Sequence, residues 1–284
     1  MAKLKINWQS KALVDKQARL FSFPKSKAEC VATASLLSVL KSVDEFGNAF
    51  MKHVDGPRSR TMSQNLETYC EFSTASLDLA CGADPSLTAK ASKPAWGEHN
   101  CPDGALVFTR GKQQWTALVE VKVGTNCLDA EQIKSYHQIA QHYGFDCLIT
   151  ISNETGTVSG APPASVTKTI TKSQLKKIPI YHFQWRDLIG DAFALWRRDL
   201  ESNVEDADQE WILGQWIKFI LAEKSDVRIQ ASLGDGWNEV LRQSKKDMLQ
   251  KDSKVLKDVA IHWRGLANEL AYEMRTLGIK LEPR

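Results

Sequence analysis

Two short polar segments, each next to an apolar run, constrain the fold of this chain most. Pro102-Asp103 precedes the apolar residues 105–108, and Glu120-Val121-Lys122 ends a second apolar run. The intervening residues 109–112 contain a glycine and predict a β-hairpin turn. Side chains of a strand alternate between its two faces, so Glu120 and Lys122 would share one face. The hairpin would then bring Asp103 close to both of them.

These residue types suit a divalent cation next to a phosphodiester. Mg²⁺ prefers oxygen ligands, keeps several waters, and is commonly held by one or two protein carboxylates together with phosphate oxygens. Asp103 and Glu120 fit that role, and the Val121 carbonyl would add a further oxygen. A bound cation lowers the pKa of a coordinated water and stabilises charge developing at phosphorus. Lys122 would orient the attacking water or stabilise the transition state by its charge.

At these residues the sequence resembles the PD-(D/E)xK nuclease superfamily, with Pro102-Asp103 as the first half of the signature and Glu120-Val121-Lys122 as the second. In the helix predicted to follow, Gln132 and Tyr136 look like the QxxxY motif of the RecB-like branch. Residues four apart share one face of a helix, so both would face the metal site or a DNA strand. The resemblance covers residues 63–152, and it extends more loosely to bacterial stress-associated proteins that carry this core.

The resemblance implies an α/β fold with a restriction-endonuclease-like core, in which helices flank a mixed central sheet. It also implies an acidic residue from the helix before the core. Glu67 and Glu71 are the candidates, on a segment, 64–72, that we interpret as this helix; Glu67 is preferred, and the choice stays open. The early strand that the family requires is poorly marked, and we place it within residues 76–80.

The order of predicted elements divides the chain into three regions. Residues 1–60 form a helical accessory region, in which apolar residues recur at helical spacing over 28–43. Residues 61–186 form the nuclease-like core, with later strands at 146–151 and 178–184. Residues 187–284 form a helical region whose amphipathic segments carry tryptophans, including a helix over 255–277.

Composition narrows the class of protein. The 43% hydrophobic content is enough for a buried core, and no run approaches the roughly 20 apolar residues of a membrane span. The amino terminus lacks the apolar run of a signal peptide, so we expect a cytoplasmic protein. The net charge of +3 is mild, and the six cysteines form no C-x-x-C pair of the kind typical of zinc sites.

Basic residues in predicted loops near the motif are expected to contact phosphates: Arg58, Arg60, Lys90, Lys93, Arg110 and Lys112.

The function favoured by this pattern is a Mg²⁺- or Mn²⁺-dependent nuclease that hydrolyses phosphodiester bonds of nucleic acid. The Gln/Tyr pair favours DNA, and the looser resemblance favours bacterial stress or defence. Many nucleases of the superfamily act as homodimers, so dimerisation is a further expectation. Two alternatives stay open: a catalytically inactive nucleic-acid-binding or stress-response protein on the same fold, and a structural protein whose tryptophan-bearing helices engage a partner. The expected catalytic residues are Asp103, Glu120, Lys122, Gln132, Tyr136 and Glu67, and the expected metal ligands are Asp103, Glu120 and Val121.

Overall fold

The structure is a computed structural model. It describes residues 5–18, 27–83, 101–154, 163, 166, 170–201, 206–222 and 237–244, and single residues thereafter at 246, 250, 253, 255, 256, 259 and 260. The described strands are β1 (Leu66–Cys70), β2 (Gly104–Arg110), β3 (Gln113–Val121), β4 (Cys147–Ser152) and β5 (Ile180–Gln184). The described helices are α1 (Lys11–Val14), α2 (Ala28–Ser42), α3 (Asp44–His53), α4 (Met62–Asn65), α5 (Thr74–Ala80), α6 (Ala130–Tyr143), α7 (Lys172–Lys177), α8 (Trp185–Glu201), α9 (Ala207–Leu221) and α10 (Trp237–Ser244).

The five strands form one mixed sheet in the order β1-β2-β3-β4-β5. The β2 strand pairs antiparallel with β1 and β3, whereas the β3-β4 and β4-β5 pairs are parallel. The β2-β3 hairpin closes with Arg110 opposite Gln113, and Gly111 takes a φ of +61° in its turn. Such a left-handed conformation favours glycine. Helices flank the sheet, so the predicted α/β class is confirmed.

The helix α6 connects the parallel strands β3 and β4. Its first turn is capped by the Asp129 side chain, which accepts a hydrogen bond from the Gln132 amide at 2.7 Å. It ends at Gly144, whose φ of +76° lies in the left-handed region. Ile133 and Ile139 of this helix belong to the same buried cluster as sheet residues such as Leu118. The odd-numbered positions of β2 and the even-numbered positions of β3 therefore face α6.

The helix α2 covers the opposite face of the sheet. Gly104 makes this possible, because a Cβ built there would lie 2.6 Å from Leu37 Cδ1 and 3.3 Å from Thr33 Cγ2 of the helix. Leu36, Leu37 and Leu40 of the helix are fully buried. The helix predicted for residues 28–43 is thus confirmed, and it packs directly against the strand that follows Asp103.

Two predictions about the segment before the hairpin are wrong. Residues 64–72 were expected to be helical, but only Met62–Asn65 is, and Leu66–Cys70 forms β1. Residues 76–80, where the early strand was expected, belong to the helix α5 instead. Residues 66–70 pair with β2 along their whole length, and this pairing outweighs the helical spacing of Glu67 and Glu71. The Ser73 side chain accepts from the Ser76 amide at 3.2 Å, which caps the start of α5.

Contacts divide the chain into two compact units, residues 1–228 and 229–284. The first contains the sheet, and the second contains α10. The region boundaries near 60 and 186 stay predictions, and most of the helix predicted over 255–277 lies outside the described residues. In the described part of the chain, no helix has the length and apolar character that would let it traverse a lipid bilayer.

Candidate metal centre

The sheet brings the two halves of the signature together. Gly104 at the start of β2 pairs with Val119 near the end of β3, which places Asp103 next to Glu120. Asp103 Oδ2 accepts a hydrogen bond from the Val121 amide at 2.8 Å. The side chains of Asp103 and Glu120 are close enough for the charge of Asp103 to act on Glu120. Glu120 is only 1% exposed, so this contact is shielded from water.

Lys122 completes the group on the same face of the strand. Its Nζ lies 2.6 Å from Glu120 Oε1. Its backbone carbonyl accepts a hydrogen bond at 2.8 Å from the indole of Trp185, the fully buried first residue of α8. The chain beyond β3 is therefore anchored at the point where Lys122 leaves the sheet.

Burial and like charge act on the titration of these groups. Burial raises the pKa of Asp103, and it raises the pKa of Glu120 well above its usual range, to which the Asp103 charge adds. Burial alone would lower the pKa of Lys122, but attraction to Glu120 outweighs it, and the net shift is upward. Lys122 balances one of the two carboxylates, so the second favours either a proton or a further cation at the site.

The donor set fits a hard divalent cation. Glu120 Oε2 is buried and has no hydrogen-bond donor among the described residues. An oxygen in this state, facing a second carboxylate, is suited to a cation such as Mg²⁺, which needs only one or two protein carboxylates. Within the described ranges, no group of three or more His, Cys, Asp or Glu side chains forms a metal site. Waters and substrate oxygens would have to supply the other ligands.

Glu29 is a third acidic residue near Lys122, and it is not among the residues predicted from the sequence. It lies in the first turn of α2, and its Oε2 is 3.7 Å from Lys122 Nζ. Its charge also contributes to raising the pKa of Asp103. The available signal was an acid in the first turn of a correctly predicted helix, but that helix was assigned to an accessory region.

Gln132 and Tyr136 approach the site from α6. Gln132 Nε2 donates to the Tyr136 hydroxyl at 3.1 Å, and that hydroxyl donates to the Cys101 carbonyl at 2.9 Å. Burial raises the pKa of Tyr136, and the charge of Glu120 raises it further. The pair therefore fixes the backbone just before Pro102-Asp103. The structure brings it to the same side of the sheet as Glu120.

Glu67 and Glu71, the two residues predicted to supply an acid from a helix, both lie outside helices. Glu67 lies within β1, and its carboxylate accepts hydrogen bonds from Gln9 at 2.8 and 3.0 Å and from the Tyr69 hydroxyl at 2.7 Å. Glu71 follows β1 with a φ of +49°, and its amide donates to the Asp103 carbonyl at 3.1 Å. Of the two, Glu71 is thus the residue beside Asp103.

The basic residues expected around the motif do not all lie there. Arg110 and Lys112 are at the hairpin turn, at the opposite end of β2 from Asp103. Seven strand residues at about 3.4 Å each separate them from the site by roughly 24 Å. Arg58 and Arg60 lie between α3 and α4, and Lys90 and Lys93 lie outside the described residues.

Comparison with known proteins identifies no relative. The chain matches no family model, no curated protein and no solved structure. What this site does is therefore inferred from its own geometry and charges.

Proposed function

We propose that the protein is a Mg²⁺- or Mn²⁺-dependent nuclease with a restriction-endonuclease-like core. One observation carries the proposal: the buried carboxyl of Glu120 lies beside the half-buried carboxyl of Asp103, and Lys122 Nζ lies 2.6 Å from Glu120. The resemblance of these residues to the PD-(D/E)xK signature supports it. So does the mixed sheet with helices on both faces, which the same resemblance implies.

The proposed roles follow from the positions of the side chains. Asp103 and Glu120 hold the cation, and the Val121 carbonyl is a proposed further ligand. The cation would supply a water of lowered pKa and neutralise charge on the phosphate. Lys122 Nζ would orient an attacking water, and its positive charge would stabilise the charge that develops on the phosphate. Gln132 and Tyr136 position the Cys101 backbone and, through it, Asp103.

We assign the role of helix acid to Glu29 and not to Glu67. Glu29 lies on a helix, faces Lys122 at 3.7 Å and acts electrostatically on Asp103. Mg²⁺ keeps several of its waters, so Glu29 can act on the cation through one of them. The carboxylate of Glu67 is already bonded to Gln9 and Tyr69.

Nucleic acid is the proposed substrate, and the Gln132/Tyr136 pair favours DNA. Bacterial stress or defence is the proposed context. The cytoplasmic location and the homodimeric state stay predictions.

Cleavage assays test this function directly. The purified protein is incubated with double-stranded DNA, single-stranded DNA and RNA in Mg²⁺, in Mn²⁺ and in EDTA. We expect metal-dependent cleavage that Asp103→Ala and Lys122→Ala abolish, that Glu29→Gln weakens, and that Glu67→Gln leaves unchanged. Absence of cleavage in both metals, or variants at 103 and 122 as active as the parent, would refute the proposal. Salt-dependent binding without cleavage, unaffected by loss of Lys122, would instead favour the inactive binding protein.

A further inference from the structure

A turn directly after Lys122 connects the metal centre to the helix α2. The Asn126 amide donates to the Val123 carbonyl at 3.1 Å, which closes the turn. Gly124 has a φ of +61°, and its carbonyl accepts a hydrogen bond from Asn153 at 2.9 Å. The turn is thus held to the end of β4 independently of its contact with α2.

Asn126 extends its side chain from this turn to Glu29. Its Nδ2 donates to Glu29 Oε1 at 2.9 Å. The other oxygen of the same carboxylate, Oε2, lies 3.7 Å from Lys122 Nζ. The two oxygens of Glu29 therefore have different partners, one an amide donor and the other the lysine of the site.

The different partners of the two Glu29 oxygens bear on how Lys122 is divided between Glu120 and Glu29. Lys122 is 2.6 Å from Glu120 and 3.7 Å from Glu29, so it forms a close ion pair with only one of the two acids. The Glu29 side chain is 24% exposed, so packing alone leaves more than one rotamer open to it. The bond from Asn126 selects the rotamer in which Glu29 faces the site without closing on Lys122.

We propose that Asn126 is a positioning residue that fixes the Glu29 carboxylate toward the cation and Lys122. The proposal rests on the metal-dependent function assigned above. Groups that hydrogen-bond to the residues around a metal typically contribute a factor of about 10 to 100 in affinity or activity. Because Asn126 is exposed and acts through a single hydrogen bond, we expect the lower end of this range, which is a loss of about tenfold in Mn²⁺ affinity.

The test compares four variants by calorimetric titration of Mn²⁺ and by cleavage kinetics. They are Asn126→Ala, Glu29→Gln, the double variant, and the matched control Asn153→Ala, which loosens the same turn without removing a bond to Glu29. We expect Asn126→Ala to weaken Mn²⁺ binding about tenfold and to lower kcat with little change in KM. The double variant should bind Mn²⁺ no more weakly than Glu29→Gln alone, because Asn126 acts only through Glu29. Asn153→Ala should lose less Mn²⁺ affinity than Asn126→Ala, because the bond between Asn126 and Glu29 remains.

The possible outcomes separate this inference from the function on which it rests. If the parent binds Mn²⁺ in a way that requires Glu120, but Asn126→Ala binds it equally well, only the role of Asn126 is refuted. Additive losses in the double variant, or an equal loss in Asn153→Ala, would refute that role as well, since they indicate a general effect on the turn. If the parent binds no Mn²⁺, the metal centre and the role of Asn126 are both refuted.

Discussion

Asp103 and Glu120 face each other at one end of the β2-β3 hairpin, and the Val121 amide holds Asp103 in place through a bond of 2.8 Å. The Val121 amide satisfies Asp103 Oδ2, and Lys122 satisfies one oxygen of Glu120, but Glu120 Oε2 has no donor in the described structure. A buried acceptor without a donor is costly, and so is a second carboxylate beside it. This arrangement opposes stability and favours a cation, which leads to the first prediction.

Asp103→Asn should stabilise the metal-free protein while it abolishes metal binding. The asparagine keeps an oxygen for the Val121 amide and presents an N–H to Glu120, which removes one negative charge and adds a donor. We expect the free energy of unfolding to rise by about 1 to 3 kcal/mol. Urea denaturation in EDTA measures the stability, and Mn²⁺ calorimetry measures the binding.

Asp103→Ala is the control for this change, because it removes the charge and also leaves the Val121 amide without its partner. It should be less stable than Asp103→Asn. An asparagine variant that is no more stable than the parent would mean that the two carboxyl groups do not destabilise each other. An asparagine variant that binds Mn²⁺ as the parent does would exclude Asp103 as a ligand.

Lys122→Met should separate cation binding from catalysis. The amine is 2.6 Å from Glu120 and competes with a cation for that carboxylate. Its removal should therefore leave Mn²⁺ binding intact or tighter, while kcat falls by about 100-fold or more through loss of a charge at the transition state. Lys134→Met, at an exposed lysine that pairs with Glu131 on α6, is the control and should cleave normally. Weaker Mn²⁺ binding in Lys122→Met would contradict the assigned role.

Stability should fall as the pH is lowered below about 6.5, because of His182. This residue is 5% exposed, and burial lowers its pKa to about 4. The unfolded state therefore binds the proton first, so the contribution of His182 is complete above about pH 6.5 and is lost as the pH falls through the folded-state pKa. From about pH 7 to about pH 5 we expect a loss of about 2 kcal/mol from this residue.

The measurement is urea unfolding of the parent and of His182→Gln across this pH range. His182 Nε2 lies 2.9 Å from the Glu154 carbonyl, and Nδ1 lies 3.0 Å from the Thr150 hydroxyl, so the glutamine variant is less stable overall. The difference between parent and variant should shrink toward low pH. A difference that stays constant with pH would show that His182 titrates normally.

The sequence predicted those parts of the site that depend on local patterns. The hairpin followed from alternating side chains and a glycine turn, and α6 was expected from the resemblance of Gln132 and Tyr136 to the QxxxY motif. The contact between Asp103 and Glu120 then required only that two neighbouring strands pair, which is a short-range relationship. The shared face of Glu120 and Lys122 followed from strand geometry alone.

The contribution of α2 could not be predicted in this way. Glu29 reaches Lys122 only because α2 packs across β1 and β2, and this long-range contact leaves no periodic signal in the sequence. The helix predicted over residues 64–72 was wrong for a related reason, because a short segment such as β1 becomes a strand through its pairing with β2. Tertiary contacts thus bring Glu29 near Lys122, and a local sequence pattern does not reveal them.

Gly104→Ala should test whether the position of α2 matters to the site. The added Cβ would lie 2.6 Å from Leu37 Cδ1 and 3.0 Å from the Tyr69 carbonyl oxygen. Leu37 is fully buried and cannot move away freely, so the helix must shift, at a cost of about 1 to 3 kcal/mol in unfolding free energy. Because Glu29 is carried by that helix, Mn²⁺ binding should weaken as well.

The control for this prediction is Gly111→Asn, in the turn at the far end of the hairpin. A Cβ there meets no atom within 4 Å, and asparagine tolerates the φ of +61° better than most residues. We expect this variant to bind Mn²⁺ as the parent does and to lose little stability in urea unfolding. If Gly104→Ala loses stability but keeps full Mn²⁺ affinity, the placement of α2 does not set the geometry of the metal centre, and Glu29 acts on it only weakly.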